Sequence, residues 1–389
     1  MGDNIRVGVY RDKSSTSRYV LNSSYHNKIS ASKIFVFGLN IQNLGFNFVD
    51  SVKDGGKFKT LRNDKGNTVL IQGHATYQYK FNRTTSLNSG LHYQILTLNQ
   101  SDALEPRIGL THQISRKKRW SLGAGMHSQI QNLQVYFLKS NVDNSIVQTN
   151  KDLELNKSIH GISGFEYKIN RYWRLKTEVY YQYVYNIPVT QYASYYSVLN
   201  EGADFNTPGT DSLVNKGTGQ NYGIEFTLER NFNKGFYMLN SLSLYESKYK
   251  GSNNIEKNTA FNGRFIFNSL AGKELKLNKK GILAFDTKVS LAGGRRYTPI
   301  NIQASILNQK EIVYEDQTFD KQFDTYFRLD FKITYRRSGK KITQEWFLDI
   351  QNITNRKNIF IQGFDVQKGD VVTQYQLGFF PNFNYRINF

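Results

Sequence analysis

Six histidines are the side chains of this sequence best suited to metal binding or acid–base chemistry. They are His26, His74, His92, His112, His127 and His160. Their spacing contains neither HExxH nor His-x-His, and the chain has no cysteine for a thiolate site or a disulfide. Each histidine falls in or beside a predicted strand, where a structural role explains it. We therefore predict no metal site.

The motifs of nucleophilic and phosphate chemistry are also missing. The sequence contains neither GxSxG nor GxxxxGK[ST], and no spacing assembles a Ser–His–acid set. We therefore expect a protein that is not an enzyme, with no catalytic residues and no cofactor.

Two groups of residues are candidates for ligand binding. The first is the stretch GGRRYTP (293–299), in which Arg295 and Arg296 could clamp an anion. The alternative is a simple bend after a strand, in which Gly293 and Gly294 supply an unusual φ. The sequence leaves both interpretations open.

The second group is a set of tyrosines in QYASYYSVLNEGADFNTPG (191–209). Tyr192, Tyr195 and Tyr196 could stack on a sugar, a siderophore ring or a peptide, because tyrosine offers a large contact area at low entropic cost. The alternative is a loop that packs on itself.

The elements that carry these residues have a period of two. The final stretch TQYQLGFFPNFNYRINF (373–389) places Tyr375, Leu377, Phe383 and Phe389 on one face and asparagines and glutamines mostly on the other. YWRLKTEVYYQYV (172–184), TYFRLDFKITYR (325–336), ILAFDTKVSLAG (282–293) and EWFLDIQ (345–351) alternate in the same way. This pattern predicts long strands with one apolar and one polar face.

We predict about 16 strands. They lie near residues 4–11, 17–27, 32–42, 68–80, 84–97, 104–115, 119–131, 158–169, 172–184, 221–230, 236–248, 258–270, 282–293, 325–336, 343–352 and 372–389.

The connections between these strands fall into two classes that alternate along the chain, with medium loops in the remaining places of the long class. Short turns are expected near 27–30, 82–84, 116–118, 170–171, 231–235 and 338–341, and long loops at 43–67, 131–157, 185–220, 294–324 and 353–371. An up-and-down barrel in an outer membrane has this arrangement, since its short turns face the periplasm and its long loops face outside. A soluble β-sandwich, with its apolar face between two sheets, is the alternative.

Composition agrees with a strand-rich membrane protein. The chain of 389 residues has 26 Tyr and 27 Phe, and these residue types favour strands. Mean hydropathy is −0.55 and no run of 18 apolar residues occurs, as expected when only alternate residues meet lipid. The C-terminal strand ends on its apolar face with Tyr385, Ile387 and Phe389, which we predict to be an assembly signal read by the barrel-assembly machinery.

The formal net charge of +20 has three possible functional explanations. Lysines and arginines in loops and girdles would attract lipopolysaccharide phosphates, a basic lumen would favour anionic ligands, and a basic patch would bind nucleic acid. Because the basic residues are dispersed over turns such as SRKKR and RRSGKK, we expect no nucleic-acid partner.

Several stretches resemble one family. They are YFRLDFKITYRRSGKKITQEWFLDIQNITNRKNIF (326–360), YQLGFFPNFNYRINF (375–389), NKGTGQNYGIEFTLER (215–230), NTAFNGRFIFNSLAGKE (258–274) and GGRRYTPI (293–300). The chain is similar in them to the C-terminal barrel of TonB-dependent outer-membrane receptors of the Bacteroidetes type, in the carboxypeptidase-regulatory-like family.

This resemblance implies a receptor that imports a siderophore, glycan, peptide or similar nutrient into a Gram-negative cell. Family members have a signal peptide, often a regulatory-like domain, a plug that contacts TonB, and a 22-stranded barrel. The start MGDNIRVGVYRDKSS has no apolar signal-peptide core. We therefore expect residues 1–389 to be a single all-β, antiparallel transmembrane barrel domain, truncated to about 16 of 22 strands, without a plug and with its C-terminus on the periplasmic side.

The partners expected from the resemblance are outer-membrane lipid, lipopolysaccharide, an unknown nutrient, and TonB only through the missing plug. A passive porin-like or adhesion barrel and a soluble β-sandwich binding module remain as alternative functions.

Overall fold

The computed structural model of the protein describes residues 10–54, 57–143, 145–202 and 209–389, and most of these residues are in β-strands. The strands, in chain order, are β1 Tyr10–Asp12, β2 Ser15–Lys28, β3 Lys33–Asp54, β4 Lys57–Lys80, β5 Thr85–Leu96, β6 Ser101–Gln113, β7 Lys118–Gln129, β8 Ser140–Val142, β9 Ser145–Val147, β10 Asn156–Lys168, β11 Trp173–Thr190, β12 Leu213–Asn233, β13 Phe236–Lys250, β14 Glu256–Asn258, β15 Phe265–Lys276, β16 Gly281–Ala292, β17 Arg296–Tyr297, β18 Lys321–Gln322, β19 Tyr326–Ser338, β20 Thr343–Gln351, β21 Ile359–Asp365, β22 Asp370–Tyr375 and β23 Phe380–Asn388. The helices are α1 Leu133–Tyr136 and α2 Ile302–Asn308, with 3-10 turns at Val198–Asn200 and Glu315–Gln317.

Seventeen of these strands form one antiparallel sheet in which neighbours along the chain pair with each other. The short β1 lies in line with β2 on the same partner, β3, and β14 lies in line with β15 on β13. The sheet therefore has fifteen strand lines in an up-and-down order. The predicted strand near 4–11 is not a separate line: residues 4–9 lie outside the described residues, and Tyr10–Asp12 continue the line of β2.

The pairing registers confirm that the predicted faces continue from strand to strand. On β11, Val179 and Tyr181 lie opposite Ile224 and Tyr222 of β12, while Gln182 lies opposite Asn221. We call these two sides the apolar face and the polar face. Side chains of the apolar face are left uncovered by the protein all along the sheet, as in Phe37 at 50%, Leu91 at 46%, Ile108 at 54%, Leu122 at 45% and Val179 at 52% exposure. A sandwich would cover this face with a second sheet.

The two ends of the sheet differ as predicted, apart from the four-residue connection 97–100, which joins β5 to β6 at the end that carries the long loops. At one end, which we call the turn end, seven connections have two to four residues: 29–32, 81–84, 114–117, 169–172, 234–235, 277–280 and 339–342. At the other, the loop end, the segments 130–155, 191–212, 251–264, 293–325 and 352–379 carry the helices and the three small two-stranded sheets.

Several predicted boundaries were wrong. The predicted strand 258–270 lies at Phe265–Lys276, and the expected loop 185–220 is shortened to 191–212 because β11 and β12 are longer than predicted. The expected loop 43–67 is mostly strand, because β3 and β4 stay paired from Lys33↔Tyr79 out to Asp54↔Lys57. The expected terminal strand 372–389 is broken: β22 pairs with β21 in a separate hairpin, and only β23 pairs with β20. Tyr375 and Leu377 therefore do not belong to the last strand.

The apolar face has aromatic residues at both of its limits. On β11, Trp173 lies near the turn end, and Tyr183 stacks on Tyr185 towards the loop end with ring centroids 6.1 Å apart. The ten steps between Trp173 and Tyr183 span about 33 Å at roughly 3.3 Å per residue. With the usual barrel tilt of about 40°, this corresponds to a height of about 25 Å, which matches the apolar band of outer-membrane barrels.

A hydrophobic cluster lies at the loop end on the polar face. It joins side chains of β3, β4 and β5 to the segment around α1: Leu44, Phe46, Phe48, Leu70, Leu96, Val135, Tyr136, Phe137, Leu153 and Leu213. Arg62 fixes the same segment, since its side chain forms a two-pronged pair with Asp50 at 2.6 and 3.0 Å and donates to Gln134 O at 3.0 Å. The long 130–155 connection is therefore packed onto the strands.

The described sheet is open at both edges. No pairing among the described strands joins β23 to β1 or β2, and β2 is exposed along its whole length. Within the described residues, no helix is long and apolar enough to cross a membrane.

Candidate functional site

A cavity of 440 Å³ opens among the loops at the loop end, and we call it the loop-end cavity. Its lining comes from four connections that are far apart in sequence: 191–212, 251–264, 293–325 and the β21–β22 hairpin. The residues with polar or aromatic side chains are Asn200, Arg295, Arg296, Tyr297, Thr298, Glu311, Phe319, Phe323, Phe360 and Gln362. Both predicted arginines are thus part of one site.

Arg296 serves mainly to hold loops together. The residue is 7% exposed. Its guanidinium donates to two main-chain carbonyls, Asn262 O at 3.1 Å and Asp320 O at 3.3 Å, and its backbone N–H donates to Ala260 O at 3.0 Å. Burial, followed by the repulsion of Arg264, lowers the pKa of Arg296 below its ordinary value. The side chain nevertheless stays charged, since an arginine pKa starts so high.

Arg295 reaches the hairpin that closes the other side of the cavity. Its guanidinium donates to Phe360 O at 3.4 Å. Glu311 contacts the same hairpin, because its carboxylate accepts the N–H of Phe364 at 2.8 Å. Besides Arg296, one cation and one anion therefore line the cavity, and both are anchored to main-chain groups of β21.

The glycines before the arginines are required for close approach and not for an unusual φ. Neither Gly293 nor Gly294 has a left-handed φ, which corrects the bend interpretation. A Cβ on Gly293 would lie 1.7 Å from Gly263 O, and a Cβ on Gly294 would lie 2.0 Å from Phe323 O. The chain crosses two other backbones here, and this crossing brings Arg295 and Arg296 into the cavity.

The three predicted tyrosines do not form one surface. Tyr192 is exposed at 66%, whereas the Tyr196 hydroxyl donates to Glu201 at 2.7 Å and its ring packs on the hydrophobic cluster. Burial raises the pKa of Tyr196. The carbonyl of Tyr195 accepts the hydroxyl of Tyr249 at 2.7 Å, and Lys257 lies 5.3 Å from the Tyr195 ring centroid. The loop that packs on itself is thus the better description for Tyr195 and Tyr196.

Sequence reasoning missed the aromatic and acidic members of the cavity. Tyr297 and Phe323 stack with ring centroids 4.3 Å apart, and Glu311 lies eleven residues beyond the GGRRYTPI stretch (293–300). Only Tyr297 carried a signal, because it belongs to the GGRRYTP stretch. The others come together through loop folding, which leaves no local spacing to detect.

All six histidines lie within strands of the large sheet. His127 and His160 stack with ring centroids 4.5 Å apart, and His92 Nδ1 lies 3.0 Å from the buried Glu105 carboxylate. In the part of the chain that the structure describes, no group of three or more His, Cys, Asp or Glu side chains could hold a metal ion.

The predicted assembly residues lie on the last strand. Tyr385 and Ile387 project from the apolar face of β23, where Tyr385 stacks on Trp346 with centroids 5.3 Å apart. Phe389 follows the end of β23 and is 98% exposed.

No protein-family model matches the sequence, and no curated protein is similar to it. Solved structures are similar in fold. The ferric yersiniabactin uptake receptor FyuA from Yersinia pestis aligns with a TM-score of 0.68 at 14% identity over 98% of this chain and 55% of its own. The outer membrane transporter YddB from Escherichia coli aligns with a TM-score of 0.63 at 11% identity over 96% of this chain and 54% of its own. The ferric enterobactin receptor PfeA from Pseudomonas aeruginosa gives 0.59 at 14% identity over 89% and 49%.

The comparison shows an all-β, antiparallel, up-and-down sheet of the kind found in outer-membrane receptors. The chain spans about half the length of these structures. The similar structures are receptors and transporters, not enzymes.

Proposed function

We propose that the chain is the barrel part of a TonB-dependent receptor that imports an extracellular nutrient across the outer membrane of a Gram-negative cell. The observation that carries this proposal is the apolar face, which continues in register over fifteen strand lines and stays uncovered by protein. Lipid is the surrounding that suits such a face, and water in a lumen suits the polar face.

Binding would take place at the loop end. The loop-end cavity offers Arg295, Glu311 and the stacked Tyr297–Phe323 pair, so a ligand with both charge and an aromatic or ring surface fits its chemistry. Ferric siderophores are what the similar receptors FyuA and PfeA take up, and the same class is our first candidate substrate. In the complete receptor a plug would couple release to TonB.

The orientation of the protein in the outer membrane tests this proposal. Because the chain has no native cysteine, the single variants Leu307→Cys at the loop end and Lys340→Cys at the turn end give clean labelling sites. We expect a membrane-impermeant maleimide to label Leu307→Cys in intact cells of a producing strain and Lys340→Cys only after permeabilisation. Recovery of a monodisperse protein in plain buffer, or equal labelling at both sites, would contradict the proposal and favour a sandwich.

A passive porin-like or adhesion barrel would give the same labelling. Uptake separates it from the receptor: a ferric siderophore should accumulate in cells that carry the complete receptor, and a protonophore should abolish the accumulation. Uptake that is insensitive to the protonophore would favour the passive barrel.

We also propose that Phe389, with Tyr385 and Ile387, is read by the barrel-assembly machinery. Phe389→Ser should lower the amount of the complete receptor in the outer membrane several-fold, whereas Phe379→Ser, outside the last strand, should not. Equal amounts of both variants at the wild-type level would remove this role from the terminal phenylalanine.

A further inference from the structure

The net charge of the protein is concentrated at the turn end. We counted charges in the seven short turns and the strand ends beside them, together with Arg386 on the last strand. This set contains 22 of the 51 basic residues but only 4 of the 31 acidic ones. These segments are 28–33, 80–84, 113–119, 166–174, 229–236, 273–281 and 336–345, and with Arg386 we call them the basic rim. Nearly all of the formal +20 therefore lies along the turn end, and the remainder of the chain is close to neutral.

The few acidic residues of the basic rim are already paired. Glu166 lies between Arg119 and Arg174, and Glu345 between Arg336 and Arg386. Arg116, Lys279, Lys280, Lys340 and Lys341 are exposed and form none of the described ion pairs. The rim therefore presents uncompensated positive charge to its surroundings.

Aromatic residues of the apolar face border the basic rim. All three tryptophans of the chain, Trp120, Trp173 and Trp346, are at this end. Their pairing places them on the apolar face, where Trp120 lies opposite Phe165 and Trp346 opposite both Tyr335 and Tyr385. Tryptophan and tyrosine in this arrangement mark the level of lipid headgroups.

Basic residues of the rim lie directly against this aromatic belt. Lys33 is 5.7 Å from the Tyr79 ring centroid, Lys118 is 5.7 Å from Tyr167, and Arg230 is 5.8 Å from Trp173. Cations are thus held at the height at which phosphates of a bilayer leaflet lie.

We propose that the basic rim binds the anionic phospholipid headgroups of the leaflet that meets the turn end. This inference rests on the proposed membrane function, since the rim needs a bilayer around the apolar face. A nucleic acid would need the cations on one continuous solvated surface, whereas here they alternate with rings that face the lipid side. A ring of dispersed cations around a membrane protein suits many separate headgroups.

Tryptophan fluorescence reports which lipids lie beside the basic rim. The chain is refolded into phosphatidylcholine vesicles that contain a small, equal fraction of either brominated phosphatidylcholine or brominated phosphatidylglycerol, and quenching of tryptophan fluorescence is measured. Because every tryptophan lies beside the basic rim, quenching reports the lipids there whichever way the protein is inserted. We expect brominated phosphatidylglycerol to be enriched at least about threefold over the brominated phosphatidylcholine, and 1 M salt to remove most of the enrichment.

A matched pair of variants ties the effect to the rim. Changing Arg116, Lys279, Lys280, Lys340 and Lys341 together to glutamine should reduce the enrichment to less than half. Changing Lys59, Lys151, Lys216, Lys310 and Lys321 to glutamine removes the same charge at the loop end and should leave the enrichment unchanged.

The outcomes separate the two proposals. Absence of quenching by both brominated lipids would mean that the apolar face does not meet lipid, and would overturn the proposed function as well. Equal quenching by both lipids would leave the membrane location standing and overturn only the lipid preference. An equal loss of enrichment in the two fivefold variants would show that total charge, and not the basic rim, attracts the lipid.

Discussion

Arg296 connects two segments of the loop end through three main-chain acceptors. Its guanidinium and backbone N–H bond to carbonyls of residues 260, 262 and 320, so the segments 251–264 and 293–325 are tied at one buried point. Only a forked donor can satisfy two carbonyls that diverge in this way. The walls of the loop-end cavity therefore depend on a residue that contributes little free charge to it.

We expect Arg296→Lys to loosen the cavity walls even though the charge is kept. The lysine cannot bond to both carbonyls, and leaving one buried carbonyl unpaired costs about 1–3 kcal/mol. Hydrogen exchange in residues 293–325 should rise by about one to two orders of magnitude relative to the strands. Arg264→Lys is the matched control, because this arginine is largely exposed and its 3.4 Å contact with Glu246 is a surface ion pair. Equal exchange in the two variants would refute the anchoring role.

At this scale the sequence singled out two residues that line the loop-end cavity, and their role in ligand binding stays a prediction. The GGRRYTP stretch predicted that Arg295 and Arg296 reach a site, and the structure places both in the loop-end cavity. Their backbone anchoring depends on carbonyls more than twenty residues away, which no local pattern encodes. The Tyr195 carbonyl and the Tyr196 hydroxyl bond to groups of the surrounding loops, and stacking of these tyrosines on a ligand stays a prediction.

At the scale of elements, the 130–155 connection behaves as a packed unit that covers the polar face. Phe137 contacts Phe46 with ring centroids 4.3 Å apart and Phe48 with centroids 5.8 Å apart. The sequence predicted this connection as a long loop and gave no sign that it folds back, since its apolar run LQVYFL (133–138) is too short to show a helix or strand period. Its packing partners Phe46 and Phe48 were themselves assigned to a loop. The apolar side chains of β3 change there from the apolar face to the polar face, which interrupts the alternation.

We expect Phe137→Ala to release this connection from the strands. Removing a buried phenylalanine costs about 3–5 kcal/mol, which exceeds the local stability of most connecting segments. Protease cleavage within residues 130–155 should become at least tenfold faster in the folded protein, with the strands still protected. Ile146→Ala, at an isoleucine that is 75% exposed, should leave the cleavage rate unchanged.

Tyr136 makes the same unit sensitive to alkali. Burial raises the pKa of its phenol to about 12 from the ordinary value of 10.0. Because the folded state favours the neutral phenol, the stability from this group is intact below pH 10 and is lost as the pH rises towards 12. The difference between the tyrosinate absorbance titrations of the wild type and Tyr136→Phe should therefore have a midpoint near 12. A midpoint near 10 would mean that the connection does not bury this side chain.

At the scale of the whole molecule, the fifteen strand lines of the described residues give both edges of that sheet the same direction. β2 runs from the loop end to the turn end, since Ser15 lies opposite Asn47 and Lys28 opposite Ile34. β23 runs the same way, from Phe380 opposite Gln351 to Asn388 opposite Thr343. Direct pairing of β2 with β23 would be parallel, whereas an up-and-down barrel is antiparallel throughout and has an even number of strands.

Alternation along the chain was enough to predict the class of fold, because each strand must place one face in an apolar surrounding. Alternation could not show whether the number of strand lines is odd or even. That depends on whether Tyr10–Asp12 forms its own line or extends the line of β2, and both pair with the same long partner, β3. One strand more or less decides whether the two edges fit each other.

We therefore expect antiparallel closure only when an odd number of strands is added between β23 and β2. The double variants Leu21→Cys with Phe383→Cys, and Tyr25→Cys with Ile387→Cys, should form no disulfide within one chain in the membrane.

An extra copy of residues 33–96 placed ahead of Tyr10 adds three strands, the first and last of which run from the turn end to the loop end. A cysteine in place of Phe37 in that copy should then cross-link to Phe383→Cys. An extra copy of residues 33–80 adds two strands and sets a copy of β4 parallel to β2, so the same cysteines should stay apart. A direct Leu21–Phe383 cross-link in the unextended chain would show that the edges tolerate parallel pairing, and closure would then not depend on parity.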